Sequence, residues 1–184
     1  MPVKRARPLG KTNSLQENKI MKIVRYAVAI ALVLSASFAL AENGGKKTFD
    51  SLKALAGTWE GKNNQGQSLK VTFRETAGGS ALLSEIHGMG PENMISMIHM
   101  DGDRLMMTHY CGAGNQPRMK ATLAPDGKSV AFDFIDATNL ASPEAGHMNH
   151  VVFTMPDADH HSEEWTFLDH GKEMKEMFIL QRSK

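Results

Sequence analysis

The stretch that decides the fold runs from Met94 to Met119 and reads MISMIHMDGDRLMMTHYCGAGNQPRM. Two alternating segments flank Asp101-Gly102, a dipeptide that is typical of tight hairpin turns. The second segment ends in a corner of Gly, Asn and Pro that follows Cys111, the single cysteine of the chain. The stretch therefore predicts two paired antiparallel strands with an unusual content of His, Met and Cys.

Short alternating segments continue on both sides of this hairpin, and Gly, Asn, Asp and Pro separate them. They predict ten strands at residues 57–61, 69–76, 81–88, 94–100, 104–111, 118–123, 129–136, 147–155, 162–168 and 173–181. So many short strands without crossover helices indicate an all-β, antiparallel up-and-down β-barrel, with an open sandwich as the alternative. Closure is favoured because an open sheet would leave long unprotected edges.

One short helix precedes the strands. The sequence predicts it at residues 49–56, with Thr48 or Asp50 as its N-cap and Gly57 as its stop. A polar linker at residues 42–47 comes before it, so the barrel domain is predicted to span residues 48–184.

The first 41 residues have the parts of a secretory signal peptide. Lys22 and Arg25 precede an apolar run at residues 27–34, and Ala39-Leu40-Ala41 provides small residues for cleavage. The run is short for a membrane span, although an uncleaved N-terminal anchor is the alternative. We expect Met21 to be the true start, residues 1–41 to be an extension plus signal peptide, and the mature protein to be periplasmic or secreted.

Charge and cysteine content exclude several classes of partner. Residues 1–41 hold seven of the 21 basic and one of the 20 acidic side chains, which leaves a net charge of about −5 on the remainder. A negative surface argues against binding to nucleic acid or to an anionic membrane. A single cysteine excludes an intrachain disulfide framework.

Alternation assigns side chains to the two faces of each strand. Because Arg104 should face water, His109 and Cys111 are predicted to point inward. The same reasoning predicts that three further groups point inward: Met119, Ala121 and Leu123; Phe132, Phe134 and Asp136; and His147, Asn149, Val151 and Phe153. Trp165 is also predicted to face the interior, whereas the segment His160 to Glu164 is predicted to be a solvated turn and strand start.

The first predicted strand carries a resemblance. Leu55-Ala-Gly-Thr-Trp-Glu-Gly61 resembles the Gly-x-Trp opening strand of the calycins, the superfamily of lipocalins and fatty-acid-binding proteins. The resemblance implies that a basic residue near the end of the last strand packs over Trp59, and Arg182 stands at that place.

Four longer blocks, DGDRLMMTHYCGAGNQPRM, FDFIDATNL, HMNH and DADHHSEEWTF, resemble a family of exported bacterial lipocalin-like proteins of unassigned function. This resemblance spans Leu55 to Arg182, and Asn149 departs from it where a second His is expected. A more distant resemblance, carried by Gly57-Thr-Trp-Glu-Gly61, is to nitrobindin-type haem barrels. The glycine-rich continuation of those barrels is replaced here by Lys62-Asn63-Asn64, and no proximal His is identified.

These patterns favour non-covalent binding of a small, mostly apolar ligand inside the barrel. His109 and His147 are expected to orient the ligand. The full set of predicted ligand-binding residues is Trp59, His109, Cys111, Arg118, Phe132, Phe134, His147 and Trp165. Arg118, with Asn115, Asp136 and Asn139, is expected at a barrel mouth, where it either grips a carboxylate or phosphate or belongs to a simple turn.

Two other functions stay open. His109, Cys111 and His147 are residue types that bind haem iron or a transition metal, with His109 and His147 as the candidate ligands, although the sequence demands no cofactor. A barrel filled by its own side chains would instead act as a structural or interaction module. No motif demands an enzyme, because Cys111 and His109 lack an identifiable third catalytic group.

Overall fold

A computed structural model describes residues 20–22, 24–26, 44–91, 93–124 and 127–184. The chain divides into two compact units, Met1–Ala41 and Glu42–Lys184. In the first unit, residues 20–22 and 24–26 are helical. No helix within the described ranges is long and apolar enough to cross a membrane. The apolar run and the cleavage site of the predicted signal peptide lie outside the described residues, so both stay predictions.

The second unit is a closed antiparallel barrel of ten strands. Each strand pairs with its neighbours in sequence, and β1 pairs with β10 to complete the ring. The strands are β1 Gly57–Asn63, β2 Ser68–Thr76, β3 Ala81–His87, β4 Met94–Asp101, β5 Arg104–Tyr110, β6 Gln116–Leu123, β7 Ser129–Thr138, β8 His147–Thr154, β9 His160–Asp169 and β10 Lys172–Arg182. A short 3₁₀ turn, Ala77–Gly79, lies between β2 and β3. The predicted all-β barrel of ten strands is confirmed.

The short N-terminal helix is also present, but its position differs from the prediction. Helix α1 occupies residues 44–53 and so extends into the segment predicted as a linker. Neither predicted N-cap acts as one: Thr48 donates from its hydroxyl to the Gly44 carbonyl, 2.8 Å away, and Asp50 pairs with Lys46. Both side chains bond to residues one turn earlier, which places them inside the helix and not at its start.

One end of the barrel is covered by α1, and we call it the closed end. Phe49 and Leu52 of the helix and Leu55 after it are buried in the same core as Trp59. The indole N–H of Trp59 donates to the Leu55 carbonyl at 2.7 Å, so the chain that leaves the helix is tied to the first strand. The odd-numbered strands begin near this end and finish at the opposite one.

Arg182 seals the closed end from the last strand. Its guanidinium carbon lies 4.2 Å from the Trp59 ring centroid. Its nitrogens donate to the carbonyls of Ala54, Ala56 and Ala158 at 2.8–2.9 Å. The predicted packing of Arg182 over Trp59 is therefore confirmed, and it joins the two strands that close the ring.

Close pairing of these two strands depends on Gly61. A Cβ atom there would collide with the carbonyl oxygen of Ile179 on β10. Only glycine lets the two backbones approach this closely.

Two β-bulges change the predicted faces. On β7, Arg118 pairs with Asp136 and Met119 pairs with Phe134, so Ile135 is extra and 47% exposed. Asp136 consequently faces outward beside Arg118, and its predicted inward position is wrong. Leu123, also predicted to point inward, keeps the register of the inner face opposite Val130, but it is 40% exposed because it is the last residue of β6.

The second bulge lies on β8 at Asn149. Met148 pairs with Phe167 and His150 pairs with Thr166, which leaves Asn149 without a partner in the ladder. Alternation is therefore inverted before the bulge, and the prediction that His147 and Asn149 share the face of Val151 is wrong. An extra residue shifts a period of two by one, which simple alternation cannot anticipate.

Replacing Arg182 with Ala tests the closed end. The change removes three hydrogen bonds and a cation–π contact, so we expect the free energy of unfolding to fall by about 2 kcal/mol. Urea denaturation measures this. Arg74→Ala, at an exposed position on β2, is the control and should change stability by less than about 0.5 kcal/mol. Equal effects of the two substitutions would contradict the sealing role of Arg182.

Candidate functional site

The barrel interior has aromatic walls. Trp59 and Phe132 are completely buried, Trp165 is nearly so, and Phe134 is half-buried. Phe153 connects two of them, with ring centroids 5.9 Å from Phe132 and 6.2 Å from Trp165. The predicted aromatic walls are therefore present, and these side chains occupy much of the middle of the barrel.

His109 is a polar group inside this apolar interior. It is fully buried on β5, as predicted. Its Nδ1 atom lies 2.9 Å from the hydroxyl of Ser96 on β4, and the two share a hydrogen bond. Its ring lies 4.9 Å from that of Trp165. Nε2, the other ring nitrogen, is buried and has no hydrogen-bond partner.

Burial also determines the charge of His109. Desolvation lowers the pKa of its imidazole to about 4, so the ring is neutral at physiological pH. On β3, Ser84 stands directly opposite Ser96. The Ser84 hydroxyl, like Nε2 of His109, is buried without a hydrogen-bond partner. Ser84, Ser96 and His109 thus form a row of buried polar side chains across three neighbouring strands.

A second polar group lies on β9. Glu163 is fully buried, and its two oxygens are both engaged: one is 3.1 Å from Nε2 of His161, and the other accepts the indole N–H of Trp165 at 2.8 Å. The His161 ring packs edge-on against Trp59, with centroids 4.3 Å apart. The prediction that this segment is a solvated turn is wrong, since His161 and Glu163 share the inner face with Trp165.

Glu176 is another acidic side chain on the inner face. It stands on β10 directly opposite Trp165. Its neighbour Lys175 points outward and pairs with Glu164 at 2.9 Å, which fits an inward direction for Glu176. The Oε1 atom of Glu176 is buried without a hydrogen-bond partner. Trp165 therefore has His109 against its ring and Glu176 on the adjacent strand.

The end of the barrel opposite α1 carries a group of apolar side chains. Met148, Phe167 and Met174 form a cross-strand row on β8, β9 and β10, and Met174 is 47% exposed. Met89 and Met94 pack against the core from the other side. We call these five side chains the mouth. All face or border the interior, and Met148 is the most buried of the five, at 9% exposed.

Loops at one side of the mouth are tied together. The Asn115 amide donates to the Gly146 carbonyl at 2.8 Å, and the Asn139 amide donates to the Gly114 carbonyl at 2.6 Å. Gly146 also lies against the Phe167 ring, where a Cβ atom would be only 2.7 Å away. This side of the mouth is therefore held by hydrogen bonds and close packing.

The remaining predicted site residues do not gather around His109. His147 is buried against Phe134, with ring centroids 4.3 Å apart, and its Nδ1 lies 2.8 Å from the Ala145 carbonyl. Cys111 is half-buried just beyond β5, and burial raises the pKa of its thiol. His109 and His147 thus have separate surroundings.

Arg118 lies on the outer face of β6. Both ends of its guanidinium bond to the Asp136 carboxylate at 2.5 and 2.6 Å. This exposed pair raises the pKa of the Arg118 guanidinium. Its Nε and Nη2 atoms are thus engaged by Asp136 and point away from the interior, and the grip on a ligand carboxylate or phosphate stays a prediction.

The described residues do not form a preorganised set of metal ligands. Within the described part of the chain, no group of three or more His, Cys, Asp or Glu side chains is placed to hold a metal ion. His109 by itself could supply one neutral nitrogen to an iron or another metal. Cys111 and His147 are not placed with it.

Sequence reasoning missed Ser84, Ser96, His161, Glu163 and Glu176. Alternation does contain the signal for two of them, because residues 161 and 163 share the parity of Trp165. Their polarity concealed it, since His and Glu ordinarily face water at the start of a strand. The serines and Glu176 likewise share the parity of buried apolar residues on their own strands, and their polarity concealed their inward direction as well.

No protein-family model and no curated protein matches the chain. Solved structures similar to it in fold include the following two. Rv2717c from M. tuberculosis matches with a TM-score of 0.51 and 14% identity, covering 74% of this chain and 98% of that protein. A DUF3598 protein of unknown function from Nostoc punctiforme matches with a TM-score of 0.51 and 14% identity. That match covers 72% of this chain and 48% of the Nostoc protein, so this chain spans about half of its length.

At this level of identity, both similarities concern the fold alone. Neither adds a site residue to those given by the geometry.

The buried neutral His109 predicts a pH dependence of stability. Its pKa is lower in the folded chain than in the unfolded one, so the unfolded state takes up a proton first as the pH falls below about 6.5. Stability is present above that pH and is lost as the pH approaches 4. Between pH 7 and pH 5, we expect His109 to contribute a loss of about 2 kcal/mol.

Urea denaturation at both pH values, compared with His109→Phe, isolates this contribution. The Phe variant keeps the other histidines, so its stability should change less with pH than that of the native protein. Identical pH dependence of the two proteins would show that His109 is not held neutral by burial.

Proposed function

We propose that the barrel binds a small, mostly apolar molecule that carries one polar head group. The head group reaches His109 and Trp165, and the apolar body lies at the mouth. The observation that carries this proposal is the buried Nε2 atom of His109, which has no hydrogen-bond partner although it lies beside the ring of Trp165 in the interior.

Free energy favours an occupant for this atom. A buried polar atom without a partner costs about 1–3 kcal/mol. A ligand head group that hydrogen-bonds to Nε2 would recover that cost. A bound water would do the same until a ligand displaces it. A barrel evolved only to be filled by its own side chains would gain stability from an apolar residue at position 109.

The mouth suits the apolar body of such a ligand. Four of its five side chains are Met, namely Met89, Met94, Met148 and Met174, whose unbranched thioethers adapt to different shapes. Met174 is 47% exposed although its strand position faces the interior. An apolar lip around a few polar groups is the usual composition of a small-molecule site.

Haem or metal binding is a second candidate, and the same atom supports it. A neutral imidazole whose Nδ1 is held by Ser96 presents Nε2 in the form that binds iron or zinc. However, the ring of His109 rests on Trp165, and the neighbouring Phe132 and Met107 are fully buried. These contacts favour a small ligand over a macrocycle. A Soret band in the absorption spectrum of the purified protein, lost in His109→Phe, would instead favour haem over a small apolar ligand.

The binding proposal is tested with N-phenylnaphthylamine, an uncharged probe that fluoresces in apolar sites. We expect one probe per chain and a weakening of affinity by about tenfold in Met174→Asp, because the substitution puts a charge in the apolar mouth. Fluorescence titration measures both values.

Ile179→Asp is the matched control. Ile179 lies on the same strand, is 63% exposed and has the opposite parity to Met174, so it faces outward. Its substitution should leave probe affinity unchanged. Equal weakening in the two variants, or no saturable binding by the native protein, would contradict a site at the mouth.

We also propose export, on the strength of the signal-peptide pattern at residues 21–41. Expression in a Gram-negative host should yield a periplasmic product that begins at Glu42, which N-terminal sequencing identifies. Ala39→Arg, a control that disrupts the small-residue cleavage site, should prevent that product. Recovery of the native chain in the cytoplasm with residues 21–41 intact would contradict export.

A further inference from the structure

The charged side chains on the inner face of the barrel indicate which ligand head group the site would accept. Between the closed end and the rim, the carboxylates that the described strands place inside are Glu163 and Glu176. Arg182 is at the closed end, and its donors are engaged by three backbone carbonyls. At the exposed rim, Lys172 stands opposite Asp169 in the ladder between β10 and β9.

The two inner carboxylates are not equivalent. Glu163 already accepts from Trp165 with one oxygen and contacts His161 with the other. Glu176 lies nearer the mouth on β10, opposite Trp165, and its buried Oε1 has no partner. Glu176 therefore offers an acceptor that the protein itself does not use.

His109 provides a second unused hydrogen-bonding atom beside Trp165. Its ring contacts Trp165, its Nε2 is unpartnered, and it is neutral at physiological pH. If Nδ1–H donates to Ser96, Nε2 is an acceptor. The polar part of the site then consists of two hydrogen-bond acceptors near the Trp165 indole: a carboxylate oxygen of Glu176 and the neutral Nε2 of His109.

We infer that the site selects a ligand whose head group is an amine, with an alkyl or aryl body that fills the mouth. This inference rests on the binding function proposed above. A protonated amine has several N–H donors, so it can bond to Glu176 and His109 together. It also gains attraction from the face of Trp165. A carboxylate head group would instead be repelled by Glu176.

The test compares three ligands with the same chain: octylamine, octanol and octanoate. Each is titrated at pH 7 against N-phenylnaphthylamine bound to the native protein, and displacement gives the affinity. We expect octylamine to bind at least about tenfold more tightly than octanoate, since a like charge at a desolvated site is strongly disfavoured.

Two substitutions then assign the preference to one side chain. Glu176→Gln keeps the shape but removes the charge, so it should abolish the advantage of octylamine over octanol while leaving octanol affinity within about twofold. Glu173→Gln is the control: it makes the same change three residues earlier on β10, at an exposed position of opposite parity. It should preserve the preference of the native protein.

Failure of this inference differs from failure of the proposed function. Octanoate binding as tightly as octylamine would overturn the amine preference while leaving a ligand site. An unchanged octylamine-to-octanol ratio in Glu176→Gln would overturn the role of Glu176. If neither the probe nor octylamine binds, as judged also by native mass spectrometry, the proposed function itself is wrong.

Discussion

The contact between Arg182 and Trp59 is the interaction on which the rest of the structure depends. All other strand pairs in the barrel join strands that are consecutive in sequence. The pair of β1 and β10 instead joins the first and last strands of the domain. Bringing such distant segments together costs chain entropy that local hairpins avoid. The guanidinium offsets part of that cost, because it covers the indole and also satisfies carbonyls at the end of α1 and before β9.

Closure gives the interior its chemical properties. In a ring without edges, one face of every strand is removed from water, so polar groups placed there must find partners inside. Glu163 does so with His161 and Trp165, whereas Nε2 of His109 and Oε1 of Glu176 do not. The site is therefore identified by what burial leaves unsatisfied. Trp165 is its centre, because it contacts His109 and Glu163 and stands opposite Glu176.

The two bulges determine which side chains reach that centre. At Ile135 the extra residue turns Asp136 outward, where it engages Arg118. At Asn149 the extra residue brings Met148 opposite Phe167 and separates His147 from the inner face of Val151. Both bulges lie toward the mouth, so the wall there differs from a regular alternating one, whereas the closed end follows the alternation.

The amino-acid sequence by itself determined the ten strands, their hairpin order and the packing of Arg182 over Trp59. These features follow from a period of two, from turn residues such as Asp101-Gly102, and from a single aromatic and basic pair. Only the tertiary structure decided that Glu163 and the Oε1 atom of Glu176 are buried, that Asp136 turns outward to Arg118, and that His147 stands apart from His109. The physical reason is that a bulge shifts the faces by one residue, and that a polar side chain shows its direction only when its surroundings are known.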